Sequence, residues 1–347
     1  MVRPLPIANP PNPWSSTQVE WIGEPPEAKL HVFEERSKTI LNHVTSPDVG
    51  MKWSVNPYRG CMHGCAYCYA RPTHQYWGFG AGSDFDRNIV VRINAPELLR
   101  EAFEKKSWAG ESITFSGNTD CYQPLEASYR LTRRCLEACL DYRNPIHVIT
   151  KSALVRRDVD VLGRLAKDAR ASVTLSIPFA HAEMARKIEP YASAPAARFE
   201  TIRALTDAGL DVYCNVAPVI PGLNDVDVAE ILERAKEAGA VGAACLPVRL
   251  AAEVLPVFLE RLTAAYPERL EKVRHAIQQI RGGRMNVSEF GERMRGAGPR
   301  WEAIQKLFET HCKRLGLGTW EADDEGAAPD PPEPTTFRRP KGQQELF

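Results

Sequence analysis

No apolar run in this sequence approaches the roughly 18 residues that a membrane-spanning helix needs. The first residues, MVRPLPIANPPNPW, lack the apolar core of a secretory signal, so a cytoplasmic protein is the expectation. There is no net charge: Lys plus Arg number 44 and Asp plus Glu number 44, so contact with nucleic acid would have to come from a local patch. Nine cysteines, an odd count, argue against a closed disulfide framework. A second Cys-x-x-Cys pair, the usual completion of a structural zinc site, is also missing.

What is present is ordinary globular material, 44% hydrophobic and 25% charged over 347 residues, enough for one barrel-type domain with extensions. Residues 1–30 are rich in Pro and show no period, and the whole of 1–50 reads as an irregular N-terminal arm. From about Lys52, short apolar runs alternate with amphipathic stretches. Trp53–Asn56, Ile113–Ser116, Ile146–Thr150, Val173–Ile177, Val212–Ala217 and Ala244–Val248 are too short for helices and read as buried strands. Helices are expected over 95–107, with Asn94 and Glu97 forming a capping box, over 196–208 before Gly209, and over 225–238 before Gly239. Six strands separated by helices predict an α/β fold, a partial (β/α)6 TIM-type barrel over 51–265, although strand count alone does not exclude a doubly wound sheet. Helical patterns at 267–280 and 299–315 predict a C-terminal helical extension over 266–320. The acidic stretch 321–340, with five prolines, predicts a disordered tail running to 347.

Three cysteines stand apart in Asn56-Pro-Tyr-Arg-Gly-Cys61-Met-His-Gly-Cys65-Ala-Tyr-Cys68-Tyr-Ala-Arg71. Thiolates spaced by four and three residues can gather around one inorganic centre if the loop wraps, and Gly60 and Gly64 supply the backbone freedom. Such a set suits zinc or an iron–sulfur group. Zinc wants four protein ligands, and His63 lies cramped inside the Cys61–Cys65 loop. Three ligands leave a position open, as a catalytic centre requires. Cys135, Cys139, Cys214, Cys245 and Cys312 lie in or near apolar stretches and read as packed thiols.

The Cys-x-x-x-Cys-x-aromatic-Cys string after a first strand resembles the signature of the radical S-adenosylmethionine superfamily. The wider NPYRGCMHGCAYCYAR, followed in order by SGNTDCYQPLE, ITKS, SIPF, KIEPYA and VAPVIPGLND, resembles its spore photoproduct lyase-like branch over roughly residues 35–265. That resemblance implies a [4Fe-4S] cluster on Cys61, Cys65 and Cys68, with the fourth iron chelated by S-adenosyl-L-methionine. It also implies reductive cleavage to a 5′-deoxyadenosyl radical, an electron donor such as flavodoxin or ferredoxin, and a lyase-like DNA-repair role. Strand ends of a parallel barrel carry its ligand contacts. Thr119 and Asp120 are candidates there for the methionine ammonium, Lys151 for its carboxylate or a ribose oxygen, and Ser176 for a ribose hydroxyl. Tyr67 and Tyr69 are placed to line adenine and substrate, and Ala217 resembles the turn whose backbone reads adenine. Glu189 and Arg198 are expected to form a structural ion pair.

The sequence departs from the branch at Asn118, where the resemblance calls for a hydrogen-donating cysteine. Cys121, three residues on, is the candidate replacement donor, against the alternative of a packed thiol. Gln343–Phe347 resembles the peptide by which bacterial repair proteins dock on the sliding clamp. Arg281, Arg284, Arg293, Arg295 and Arg300 form either a phosphate-contacting segment or, more commonly for such a run, a solvated face. Three functions follow as expectations: a radical enzyme acting on DNA, the same chemistry on a protein or metabolite, and a zinc-stabilised clamp-binding scaffold.

Overall fold

The computed structural model describes residues 29–319 and 334–340. Its strands are β1 (His31–Glu35), β2 (Leu41–His43), β3 (Trp53–Val55), β4 (Tyr58–Arg59), β5 (Asn88–Arg92), β6 (Ile113–Phe115), β7 (Ile146–Thr150), β8 (Ala171–Ser176), β9 (Asp211–Val219), β10 (Gly242–Pro247) and β11 (Gly318–Thr319). The six expected strands are β3, β6, β7, β8, β9 and β10. They lie side by side in that order, all parallel. Antiparallel β2 flanks β3 and parallel β11 flanks β10, leaving two edges that do not pair with each other. The sheet is therefore a partial, laterally open barrel of the (β/α)6 kind.

Alternation along the strands sorts its two faces. Val55, Ile113, Phe115, Ile146, Val148, Val173, Leu175, Val212, Cys214 and Val216 join one large core with the surrounding helices. Because successive side chains of a strand point to opposite faces, Ser54, Thr114, Ser116, His147, Thr174, Ser176, Tyr213 and Asn215 fall on the concave inner face. The barrel thus presents hydroxyls, amides and an imidazole inward and aliphatic groups outward.

The helices form close to expectation at Ala95–Glu104, Pro195–Asp207, Val228–Glu237, Leu270–Ile280 and Gly298–Leu315. Asn94 does not cap the first of them. Its amide instead accepts from the Ser37 N–H at 2.9 Å and donates to the Ser37 carbonyl at 3.0 Å, holding the arm. The helix Leu270–Ile280 is no separate cap: Val273 and Ile277 share a core with Tyr67, Phe258 and Val254. Trp301, Ile304, Phe308 and Cys312 of the last helix pack into the barrel's own core. Among the described residues no helix is long and apolar enough to cross a membrane.

Two expectations are corrected. The arm is irregular only in part, since β1 pairs with β5, which pairs in turn with β4, in a small second sheet, and β2 edges the barrel. HVFEE carries no periodic signal, because four of its five residues are exposed and it is ordered by strand pairing with distant β5 and by side-chain contacts such as Tyr129 to Glu34. The tail is not wholly a tether: residues 334–340 lie across the ends where β6 and β7 begin. Phe337 packs near Phe103 and stacks 6.1 Å from Tyr142, and the Arg338 N–H donates to the Tyr142 carbonyl at 2.8 Å. Arg339 donates to the carbonyls of Phe103 and Lys105. The remainder of the tail, with Gln343–Phe347, lies outside the described residues.

Phe337→Ala should lower stability by roughly 1–3 kcal/mol, less than a fully buried Phe would cost, in urea unfolding; an unchanged midpoint would show that the strap adds nothing. His147 gives a second expectation. It lies 2.7 Å from Ser172 Oγ and 3.1 Å from Thr174 Oγ1, and burial pushes its pKa from 6.5 down to about 4. Between those values the unfolded chain takes up a proton that the folded chain refuses, so stability falls as pH drops through that window. His147→Gln should flatten the pH dependence of the urea midpoint there, and an identical slope would rule this out.

Candidate metal centre and cofactor pocket

The cysteine loop leaves β3 at the mouth of the barrel and returns through the short helix Arg71–Trp77. Two glycines let it turn. Gly60 has φ +74°, and a Cβ there would sit 2.9 Å from the Phe85 carbonyl oxygen; Gly64 has φ +65° against Pro190 and Tyr191. The Cys61 N–H donates to Phe85 O at 2.9 Å, the Met62 N–H to Gln123 Oε1 at 3.0 Å, and the Ala66 N–H to Ile188 O at 3.0 Å. All three thiols are free, Cys61 and Cys65 buried and Cys68 half-buried.

Beneath the loop lies Arg71, with no exposed surface. Its guanidinium donates to Cys65 O at 3.1 and 2.9 Å, to Ala81 O at 3.0 Å, to Gly82 O at 2.9 Å and to Asp86 at 3.0 and 3.2 Å. Sequence reading quoted Arg71 only as the end of a motif. Its signal was the spacing, since a cation three residues after the last thiol can fold back under the loop.

Burial pushes the Cys65 thiol well up and Cys68 to about 11, with neighbouring thiols adding to both. Lys151 acts the other way on each, and its amine lies 5.7 Å from the Tyr67 ring. Lys151 is thus brought to the loop, as its strand-end position suggested. Tyr67 hydrogen-bonds Glu189, which pairs with Arg198 at 2.6 Å, both nearly without exposure. The expected Glu189–Arg198 pair is present, and it holds Tyr67. Arg198 also donates to Ser176 O at 2.8 Å, tying the end of β8 to this pair. Tyr69, half exposed, reaches across to Gly117 O at 2.8 Å.

Asp120 sits at the junction of three segments. Its carboxylate accepts from the Tyr122 and Lys151 N–H groups, each at 2.8 Å, and from Thr150 Oγ1 at 2.7 Å, and His63 Nδ1 lies 3.4 Å away. Burial raises its pKa, but His63 and these hydrogen bonds win and hold it at about 2. Thr119 Oγ1 donates to Tyr58 O at 2.8 Å. Both side chains therefore serve the loop framework in this structure. Ser176 and Asn215 are register partners on β8 and β9, two positions before Ala217. Asn215, which sequence reading missed, has a buried Oδ1 with no hydrogen-bond partner among the described residues.

Cys121 has no exposed surface and packs in the large core, and burial drives its thiol well up. Its N–H donates to Ser116 Oγ at 3.2 Å and its carbonyl accepts from Thr132 at 2.6 Å. This is the packing of the alternative reading, a packed thiol. The arginine run is not a solvated face throughout: Arg281 is buried and donates to Val248 O at 2.8 Å, and Arg293 pairs with Asp48, while Arg284 and Arg295 are exposed.

The donor set fits one of the metal readings. His63 lies between Asp120 and Cys61 and hydrogen-bonds both. A polynuclear iron–sulfur group takes one thiolate per iron, so its ligands need not meet at a point. Three loop thiols fit that group, and the inward Asn215 Oδ1 beside Ser176 is a ready acceptor for a hydroxyl or amine of an organic partner.

A parallel partial barrel with a three-cysteine loop at its mouth defines a radical S-adenosylmethionine architecture. The family model "Radical SAM superfamily" matches residues 55–235, and the chain belongs to that superfamily as a radical SAM enzyme. An uncharacterised protein of Mycobacterium tuberculosis (strain ATCC 25618 / H37Rv) is 35% identical over 68% of this chain and 71% of its own. One of Methanocaldococcus jannaschii is 30% identical over 58% and 72%. Within the superfamily the fold is that of spore photoproduct lyase. A mutant of that enzyme aligns with TM-score 0.63 at 17% identity over 89% of this chain and 88% of that one. Its complex with dinucleoside spore photoproduct aligns with TM-score 0.60 at 14% identity over 88% and 87%.

Arg71→Met should cost about 3–5 kcal/mol, because Asp86 and three carbonyls lose a buried cation. It should also lower iron uptake on reconstitution. A variant within about 1 kcal/mol of the parent, on the scale of an ordinary surface change, would remove Arg71 from this role.

Proposed function

We propose that the chain carries a [4Fe-4S] cluster on Cys61, Cys65 and Cys68 and uses it on S-adenosyl-L-methionine to act on a lesion or modified site in nucleic acid. The observation that carries this is the placement of a three-thiol loop against Lys151 and the polar inner ends of β8 and β9. When bound, the pair supplies a 5′-deoxyadenosyl radical by one-electron cleavage of the sulfonium, with reducing power from a flavodoxin- or ferredoxin-type donor.

The protein's part is placement. Arg71 and Gly60 hold the thiols in a fixed loop. Lys151 offers a cation for the methionine carboxylate. Ser176, Asn215 and the backbone at Ala217 line the side where ribose and adenine would lie, and Tyr67, braced by Glu189 and Arg198, walls it from water. Thr119 and Asp120 fix the β6 and β7 ends rather than binding directly. Nucleic acid as substrate draws on the likeness to spore photoproduct lyase, whose structure was determined in complex with dinucleoside spore photoproduct. Asn118 in place of a cysteine limits the likeness: no hydrogen donor to the product radical is carried over with it.

Anaerobic reconstitution with iron and sulfide tests the reading. The expected outcome is about four irons per chain, lost in Cys65→Ser, and 5′-deoxyadenosine formation on reduction. Lys151→Gln should keep the iron and raise KM for S-adenosyl-L-methionine roughly tenfold, the loss of one charge-assisted contact. A colourless chain that takes up zinc and no iron sinks the proposal.

A further inference from the structure

Beside the cysteine loop is a cavity of about 290 Å³ lined by Arg59, Thr73, Tyr76, Trp77 and Asn118. It is walled by the helix Arg71–Trp77, which runs on from Cys68, and floored by Asn118 just past β6. Thr73 Oγ1 lies 3.1 Å from Asn118 Oδ1, and the Asn118 N–H donates to Asn56 Oδ1 at 3.1 Å, so the floor is held in place.

The wall from the small sheet is electropositive and under-satisfied. Arg59, half-buried, has a buried Nε with no hydrogen-bond partner among the described residues, and Arg92 on the neighbouring strand β5 has buried Nε and Nη1 atoms in the same condition. Glu35 is the one carboxylate acting on both, and its own Oε2 is also unpartnered among the described residues. Burial, then the charge of Arg92, brings Arg59 down to about 10, so the pair of guanidiniums is uncomfortable without an anion. A buried guanidinium lacking acceptors is costly, and a phosphate, with several acceptor oxygens in fork geometry, relieves it best. On the opposite wall Trp77 is 40% exposed, a flat apolar surface of the kind on which bases stack.

We propose that this cavity takes one nucleotide of a nucleic-acid strand, its phosphate on Arg59 and its base against Trp77, turned out of the stack toward Asn118. The inference rests on the nucleic-acid reading above and adds where and how the strand is held. A base buried in a duplex cannot reach a recessed radical centre, so it must leave the stack, and a cavity this size takes one planar unit rather than a peptide segment. The Asn118 amide offers a donor and an acceptor to a base edge, which a cysteine in its place would not.

The test uses the full reconstituted chain, a labelled single-stranded oligodeoxynucleotide and fluorescence anisotropy at several salt concentrations. Arg59→Gln should weaken binding about tenfold and reduce the salt slope by about one, as loss of one phosphate contact does. Arg59→Lys should lose less, keeping charge but not the fork. Trp77→Ala, at an exposed position that folding tolerates, should weaken binding roughly tenfold with the salt slope kept. Thymidine monophosphate should compete and thymidine should not. Arg274→Gln, on a remote exposed helix face where Arg274 pairs with Glu271 at 2.9 Å, should bind like the parent. Undiminished binding in Arg59→Gln and Trp77→Ala overturns the cavity assignment alone. Equal competition by thymidine overturns the phosphate on Arg59, and a loss in Arg274→Gln matching that in Arg59→Gln reduces the effect to general charge. A parent chain that makes 5′-deoxyadenosine but binds no oligonucleotide overturns the nucleic-acid reading itself.

Discussion

The cysteine loop depends on one buried cation. Arg71 has no exposed surface and spends its donors on the carbonyls of Cys65, Ala81 and Gly82 and on Asp86. Taking a guanidinium out of water costs several kcal/mol, and only a nearly complete set of acceptors repays it. The loop supplies that set only in one conformation, with the Cys65 carbonyl turned inward and the segment 81–86 folded over it. A flexible run of glycines and thiols is thereby made rigid before any metal arrives. In the proposed function, iron would displace protons from Cys65 and Cys68, whose burial raises their pKa, so that loading would depend on pH.

A second buried cation does the same for the opposite wall. Arg198 links Glu189, Ser193 and the end of β8, and Glu189 holds Tyr67. The two arginines together fix both sides of the space between Cys65 and the strand ends, while Asp120 ties β6 to β7 and to His63. The inner face of the barrel tolerates so many hydroxyls and amides because its open side admits water or ligand. The outer face, sealed by helices, is apolar.

The six parallel strands were legible because buried strands of a parallel sheet are short, apolar and rich in β-branched residues, and because helices with clear termini separate them. Gly209 and Gly239 marked two helix ends through their positive φ. The Glu189–Arg198 pair was also legible, because charges beside apolar runs must find a partner. Less was legible at the edges. β1 and β5 meet across more than fifty residues with one strand largely exposed, so no local pattern announces them. Asn94 has the residue type and position of a cap, yet Ser37, distant in sequence, outbids the helix for its amide. Cys121 shows the same limit in the site: its place in the motif is compatible with either direction of its side chain, and tertiary packing puts it in the core.

The sequence alone determined the chemistry this protein has to offer: three thiols at a spacing that local backbone geometry can wrap, a barrel built from periodic apolar runs, and a missing cysteine at Asn118. Those are short-range properties, set by residue type and separation. Only the tertiary structure decided which polar groups are used up in holding the loop, as Arg71, Asp120 and Thr119 are, and which atoms lack a partner among the described residues, as Asn215 Oδ1 and Arg59 Nε do. It also showed that 334–340 belongs to the folded barrel. The reason is physical: whether a buried polar atom is partnered depends on which distant segments pack against it, and that is a property of the whole chain rather than of any stretch.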